Sequence, residues 1–214
     1  MLVGAVVFLN LKKQAEIDKS KLPQKVELSK GFQRWITNLK NKEVNVAADD
    51  FRLYEETEIY NTKWIKVYSI DEPGKKEEFD SYIKAHENLA KVIFSPSQRE
   101  FIDYRDEPRD GYNSNEVHFY GQKEDKIIDA RLLDCSVRAN CYFDRAYFLD
   151  NDSFVASEIS RNIPKKDYTT PECPVDQTCT YTIKVHVIDL INNKRLTYES
   201  KPFDTVLSEL ITEL

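Results

Sequence analysis

Alternation of apolar and polar residues is the strongest pattern in the second half of the chain. Over residues 180–190, tyrosine and β-branched apolar residues alternate with Thr, Lys and His. This predicts a strand with one buried face and one solvated face. Asn192 and Asn193 tolerate positive φ, so they predict a hairpin turn into a strand over residues 195–200. Similar runs over residues 44–70 also predict β structure.

Helical spacing replaces this alternation at three places. Four apolar residues at i, i+3, i+4 and i+7 predict one face of a short helix, with Ser29 as a candidate N-cap. They are Phe32, Trp35, Ile36 and Leu39. An apolar stripe from Phe79 to Ala90 predicts an internal amphipathic helix, and a short C-terminal helix is expected near residues 205–211. We therefore expect an α+β fold in which antiparallel sheet dominates.

Residues 94–200 contain the same order of strand-like segments twice. The matched pairs are Phe101 and Phe154, Val117 and Val185, His118 and His186, and Lys126 and Lys194. The first pair is 53 residues apart and the others are 68 apart, so the second copy holds about fifteen additional residues between its first two strands. Short antiparallel meanders repeated at such a period are typical of propeller blades. The pattern predicts a two-copy, blade-like repeat.

Charge is distributed unevenly along the 214 residues. The net charge is −6, but residues 11–42 contain nine Lys or Arg against three Asp or Glu. The remainder of the chain is therefore strongly acidic, which argues against nucleic acid as a partner. With 41% hydrophobic residues the chain has enough apolar material for a real core.

The chain opens with an apolar run over residues 2–9, which is too short to cross a bilayer. We interpret it as the end of a signal anchor that begins upstream of Met1; a buried N-terminal helix or strand is the alternative. The predicted organisation is a truncated anchor or N-terminal helix at residues 1–13, a basic linker and short helix at 14–42, and a single α+β domain at 43–214.

The four cysteines form two local pairs of equal spacing, Cys135-x5-Cys141 and Cys173-x5-Cys179. We predict a disulfide within each pair, with zinc ligation and free buried thiols as the alternatives. Disulfides persist in oxidising compartments, so an extracytoplasmic location follows from this pairing. Reduced cysteines would instead indicate the cytoplasm.

Candidate chemistry is sparse. Carboxylates crowd residues 103–110 and 144–152, but the sequence has no nucleophile motif and no glycine-rich phosphate loop. The residues from Asp150 onward begin like a calcium loop, yet Phe154 and Val155 stand where such a loop needs an oxygen ligand and a glycine. We predict no catalytic residue, cofactor or metal. The candidate binding face consists of His118, His186, Tyr120, Asp103, Asp150 and Asp152.

These features together predict a non-enzymatic, membrane-tethered extracytoplasmic module that binds a protein or glycan, or has a structural role. One alternative is a hydrolase that uses the carboxylates of the acidic loops. Another is a fragment of a longer propeller-like protein. The general form, a short anchor followed by an α+β domain with few glycines, resembles that of many bacterial envelope proteins. This resemblance implies no role for any particular residue.

Overall fold

The computed structural model describes residues 19–59, 64–109, 112–135, 138–164 and 172–211. For residues 107–109, 112–114 and 164 it describes the backbone only. The anchor predicted at residues 1–13 lies outside the described residues. No helix in these ranges is long and apolar enough to cross a bilayer.

Four short helices and twelve strands make up the described fold. The helices are α1 (Gln24–Glu27), α2 (Lys30–Asn41), α3 (Lys75–His86) and α4 (Leu207–Leu210), with a 3-10 turn at Ala48–Asp50. The first six strands are β1 (Arg52–Glu58), β2 (Ile65–Ser69), β3 (Val92–Phe94), β4 (Glu100–Asp103), β5 (Asp106–Arg109) and β6 (Tyr112–Lys123). The others are β7 (Lys126–Asp134), β8 (Arg138–Phe148), β9 (Ser153–Pro164), β10 (Thr178–Asp189), β11 (Lys194–Glu199) and β12 (Phe203–Val206). The predicted dominance of antiparallel sheet is confirmed, and together with the four short helices it is consistent with an α+β or a mainly β fold.

The strands form two antiparallel sheets. Sheet A has the order β1-β11-β10-β9-β8, with β12 also paired to β10. Sheet B has the order β2-β7-β6-β4-β3, with β5 also paired to β6. Consecutive strands β1 and β2 lie at the edges of different sheets, so the chain passes from one sheet to the other between them.

A shared apolar core joins one face of each sheet. Phe119 of sheet B and Phe154 of sheet A are both fully buried, and their rings are nearly parallel with centroids 6.5 Å apart. The alternation of side chains along a strand places every second residue at this interface, for example Phe154 and Ala156 on β9. Those between them, such as Val155, belong to a second core on the outer face of sheet A.

Helix α2 covers that outer face. Ser29 caps it as predicted, because its hydroxyl accepts a hydrogen bond from the Phe32 backbone N–H at 3.2 Å. Phe32, Trp35 and Leu39 are buried against the sheet. Gly31 lies where a Cβ would come within 2.5 Å of the Tyr147 ring, so this helix approaches β8 at the one position that lacks a side chain.

Helix α3 packs on the opposite side of the molecule, on the outer face of sheet B. The ring of Phe79 stacks on that of Tyr120 at 5.6 Å, and His86 stacks on Phe101 at 4.7 Å. The layers therefore run helix, sheet, sheet, helix. The described part of the segment predicted as basic linker contributes Leu22 and Val26 to the sheet A core. The predicted division into three segments stays a prediction.

The predicted helix boundaries differ from the observed ones in two places. Helix α3 ends at His86 because Glu87 is extended and Asn88 has a φ of 64°. The C-terminal helix has only four residues, since Phe203–Val206 instead pairs with β10 as strand β12. In the turn before β11 only Asn193, with a φ of 52°, has positive φ.

The two sheets share one strand order around the segments matched in the sequence. Strands β6 and β10 are each the third of five, and Tyr120 pairs with Phe101 as the matched Ile188 pairs with Phe154. The strands that follow, β7 and β11, are paired in different registers. Tyr120 pairs with Asp129, whereas Ile188 pairs with Arg195. The turn before β11 is two residues longer than the turn before β7. The sequence match of Lys126 with Lys194 is therefore offset by two residues from the strand register.

Candidate binding face

Three of the six predicted binding residues lie together on the outer face of sheet B. Asp103 on β4 pairs with His118 on β6, and Tyr120 follows two residues later on the same face. Helix α3 packs over the end of this face that contains Tyr120. His118 and Asp103 lie at the other end, which the helix does not cover. His186 instead lies in sheet A, and Asp150 and Asp152 lie at the turn between β8 and β9.

The polar end of this face, which we call the His118 cluster, consists of Glu116, His118, Arg131 and Trp64. Glu116 is only 2% exposed. Its carboxylate lies 2.7 Å from His118 Nε2 and also binds the Arg131 guanidinium. That guanidinium lies 3.9 Å from the centre of the Trp64 ring, which is half exposed. The cluster thus presents the half-exposed Trp64 ring, which is backed by the mostly buried Arg131 guanidinium and the buried carboxylate.

Asp103 is held beside this cluster by Arg105. The guanidinium donates to both carboxylate oxygens, with Nε–Oδ1 at 3.0 Å and Nη2–Oδ2 at 2.7 Å. A bidentate pair of this kind fixes both side chains. Asp103 therefore contributes a paired charge to the face.

His186 belongs to a second cluster of the same composition, buried within sheet A. Arg138 donates from Nη1 and Nη2 to the two oxygens of Glu158, at 2.6 and 2.8 Å. His186 Nε2 lies 3.0 Å from the same carboxylate, and its Nδ1 lies 3.2 Å from the Thr197 hydroxyl. Glu158, Thr197 and His186 are at most 5% exposed, so this cluster is a buried polar network.

Electrostatics define the charge states in this network. Burial opposes ionisation of Glu158, but His186 and Arg138 outweigh it and hold the pKa of the carboxyl well below its usual range. Burial lowers the pKa of His186 despite the attraction of Glu158. The network therefore contains an ionised glutamate, an arginine and a neutral imidazole at pH 7. The neutral imidazole donates to Glu158 from Nε2 and accepts from Thr197 at Nδ1.

The carboxylates of the β8–β9 turn are engaged with lysines. Asp150 accepts a hydrogen bond from Lys25 at 2.5 Å and others from within its own turn, which include one from the backbone N–H of Asp152. Asp152 lies 2.7 Å from Lys123, which also contacts the buried Glu100. These contacts tie the turn to α1 and to sheet B, consistent with a structural turn rather than a calcium loop.

Both predicted cysteine pairs are closed as disulfides. The Cα atoms are 5.3 Å apart for Cys135 and Cys141, and 6.5 Å apart for Cys173 and Cys179. The side chain of Asn140 links the two loops, because it donates to the Cys173 carbonyl at 2.8 Å and accepts from its N–H at 2.7 Å.

One part of the described chain groups metal-ligand atoms closely. The two sulfur atoms of Cys135 and Cys141 and a Glu158 oxygen lie within 4.8 Å of one another. Since both sulfurs are in a disulfide, they offer no thiolate to a metal.

Two carboxylates in the acidic stretches have raised pKa values. Burial raises the pKa of Asp144, against the hydrogen bond that its Oδ2 accepts from Trp35 Nε1 at 2.6 Å. Partial burial also raises the pKa of Asp106, and Lys91 partly offsets the shift. Raised carboxyl pKa values are found at catalytic sites and at structural sites alike.

The sequence patterns do not identify the glutamates and arginines of the two clusters as site residues. Glu116 stands two residues before His118, so strand alternation alone places both on one face. Arg131 lies opposite His118 in the next strand, which only the register reveals. Glu158 and Arg138 reach His186 from β9 and β8, and no local spacing signals those contacts.

Comparisons of this chain with protein-family models, with curated proteins and with solved structures found no match.

Proposed function

We propose that the chain is a membrane-tethered extracytoplasmic module that binds a protein or glycan, or supports the cell envelope, without catalysing a reaction. The observation that carries the proposal is the pair of closed disulfides. Both are compatible with an oxidising compartment outside the cytoplasm. The apolar run over residues 2–9 would form part of the tether.

The His118 cluster is the binding surface that we assign to this module. Trp64 is half exposed while its ring rests on Arg131, and aromatic and arginine side chains are enriched where proteins bind partners. Glu116 and Asp103 hold the neighbouring cationic groups in fixed positions. A flat, preorganised surface of this type suits a protein or a sugar ring.

A phosphatase reporter that is active only outside the cytoplasm tests the location when it is fused to the protein expressed from its native gene, with the codons upstream of Met1 retained. We expect phosphatase activity in the membrane fraction. A matched variant whose translation begins at residue 19 should leave the reporter inactive in the cytoplasm. An inactive reporter on the native gene product would contradict the proposal.

A carboxylate-dependent hydrolase is the second candidate, because the pKa values of Asp144 and Asp106 are raised. A general acid requires such a carboxyl group. Against this, Asp144 is already engaged by Trp35. Turnover of chromogenic glycosides by the wild type that is lost in both Asp106→Asn and Asp144→Asn would favour the hydrolase over the binding module.

The third candidate is a fragment of a longer propeller-like protein, and the common strand order of the two sheets supports a blade-like repeat. However, α2 and α3 pack on the outer faces where further blades would have to stack. Further copies of the repeat in the adjoining genomic sequence would favour this candidate, and unrelated sequence there would count against it.

A further inference from the structure

A small cleft lies between helix α3 and the outer face of sheet B, next to the His118 cluster. Its volume is about 130 Å³, well below the range of about 300–1,000 Å³ that holds drug-sized ligands. The cleft is therefore sized for one small head group. Three tyrosines line it together with three charged residues: Tyr68, Tyr82, Tyr120, Lys75, Glu78 and Asp129.

The tyrosine rings form a corner of aromatic faces. The centroids of Tyr82 and Tyr120 are 4.4 Å apart, and the ring planes are inclined at 53°. Phe79 stacks on Tyr120 at 5.6 Å and an inclination of 22°, which fixes that ring from the helix side. Two inclined ring faces and the nearby Tyr68 give the cleft the walls of an aromatic cage.

The charges around the cleft favour a cation. Burial raises the pKa of Tyr120 to about 12, and the negative charges of Glu78 and Asp129 add to the shift. The phenol thus remains neutral at physiological pH, and two carboxylates lie close enough to act on it. Among the described residues that line this cleft, Lys75 is the only cation against Glu78 and Asp129, so this lining has one excess negative charge.

The ammonium group of Lys75 already contacts one aromatic wall of the cleft, the ring of Tyr68. Lys75 Nζ lies 4.6 Å from the centre of the Tyr68 ring and 2.7 Å from a Glu78 oxygen. The site therefore accommodates an alkylammonium cation over an aromatic face with a carboxylate beside it. Glu78 is largely exposed, so a second cation from solution can share its charge.

We infer that this cleft binds the cationic head group of a ligand of the trimethylammonium class. A quaternary head group suits it because ring faces and nearby carboxylates satisfy such a cation without donating hydrogen bonds, whereas a primary ammonium needs acceptors at three N–H groups. The inference rests on the proposed binding function. It names the class of ligand that binds at the Tyr120 end of the candidate binding face on sheet B.

The test is a titration of the full chain with choline chloride, followed by the NMR resonances of the tyrosine rings. The matched probe is 3,3-dimethyl-1-butanol, in which a neutral carbon replaces the nitrogen of choline. We expect saturable shifts of the cleft tyrosines with choline and none with the alcohol. Equal shifts with both probes, or no shift with choline at high millimolar concentration, would overturn the inference.

Variants locate the site. Tyr82→Leu should weaken choline binding at least about fivefold, since one ring face is lost. Because Tyr82 is 45% exposed, this change should leave the fold intact. Lys75→Met should strengthen binding about fivefold, because it removes a competing cation from the site. The control Tyr54→Leu, at a tyrosine that is 61% exposed on sheet A, should change nothing.

The outcomes separate this inference from the proposed function. If choline shifts the rings only in Lys75→Met, the lysine fills the site in the native protein and the inference fails. Failure of choline binding with an active phosphatase reporter would remove the ligand class and leave the extracytoplasmic module in place. An inactive reporter with choline binding intact would remove the location and leave the site.

Discussion

Replacement of Arg138 by Met should destabilise the protein strongly, because it leaves a buried carboxylate without its cation. Glu158 is 1% exposed and receives two charge-assisted hydrogen bonds from Arg138, at 2.6 and 2.8 Å. Removal of one partner from such a pair costs about 3–5 kcal/mol. We expect a loss near the lower limit, about 3 kcal/mol, since His186 still donates to Glu158.

The second variant removes both charges. Arg138→Met combined with Glu158→Gln should recover most of the lost stability, since the unpaired buried charge is removed and the amide oxygen still accepts from His186. The surface change Arg34→Met serves as the matched control, because Arg34 is exposed on α2, and it should alter stability by less than about 0.5 kcal/mol.

Urea unfolding at pH 7, followed by circular dichroism, measures all three free energies of unfolding. In thermal unfolding, a loss of about 3 kcal/mol should lower Tm by roughly 6–12 °C for a chain of this size. A loss below about 1 kcal/mol for Arg138→Met, or a double variant less stable than the single one, would refute the reasoning.

Three further predictions concern the rest of the structure. Because burial lowers the pKa of His186, the unfolded chain binds more protons, so stability should fall as pH drops below about 6.5; His186→Gln should flatten this slope in urea unfolding between pH 7 and 5.5. Asp144→Asn should match or exceed wild-type stability at pH 7, because it keeps an acceptor for Trp35 and removes a poorly solvated charge, whereas Asp144→Ala should cost about 1–3 kcal/mol in the same assay. Replacement of Cys135 and Cys141 by Ser should cost about 4 kcal/mol, against about 2 kcal/mol for the other disulfide, since it also buries two hydroxyl groups in the sheet interface; equal Tm losses would count against this placement.

Local patterns predicted the elements that local physics determines. The spacing of Phe32, Trp35 and Leu39 predicted helix α2 together with its Ser29 cap, because one face of a helix and its first turn are defined within a few residues. The equal spacing of the cysteines predicted both disulfides for the same reason, as each closes a short loop.

Features that depend on register between distant strands could not be predicted. The sequence placed His186 on a solvated strand face, but the packing of the sheets buries it beside Glu158, which lies on the adjacent strand β9. His118 and Asp103 are both candidates from the sequence, but only the strand register shows that they pair across β4 and β6. The aromatic cleft at Tyr120 arises only when α3 packs on sheet B, and neither element alone contains it.

The cysteine redox state in living cells is the most direct test of the account, since the extracytoplasmic module rests on two closed disulfides. Cells that express the protein from its native gene, with the codons upstream of Met1 retained, are lysed under denaturing conditions in a thiol-alkylating reagent without reductant, and the intact mass is measured. We predict no alkyl group on any of the four cysteines, and four groups after prior reduction. Four alkyl groups without reduction would contradict the account and indicate a reducing compartment.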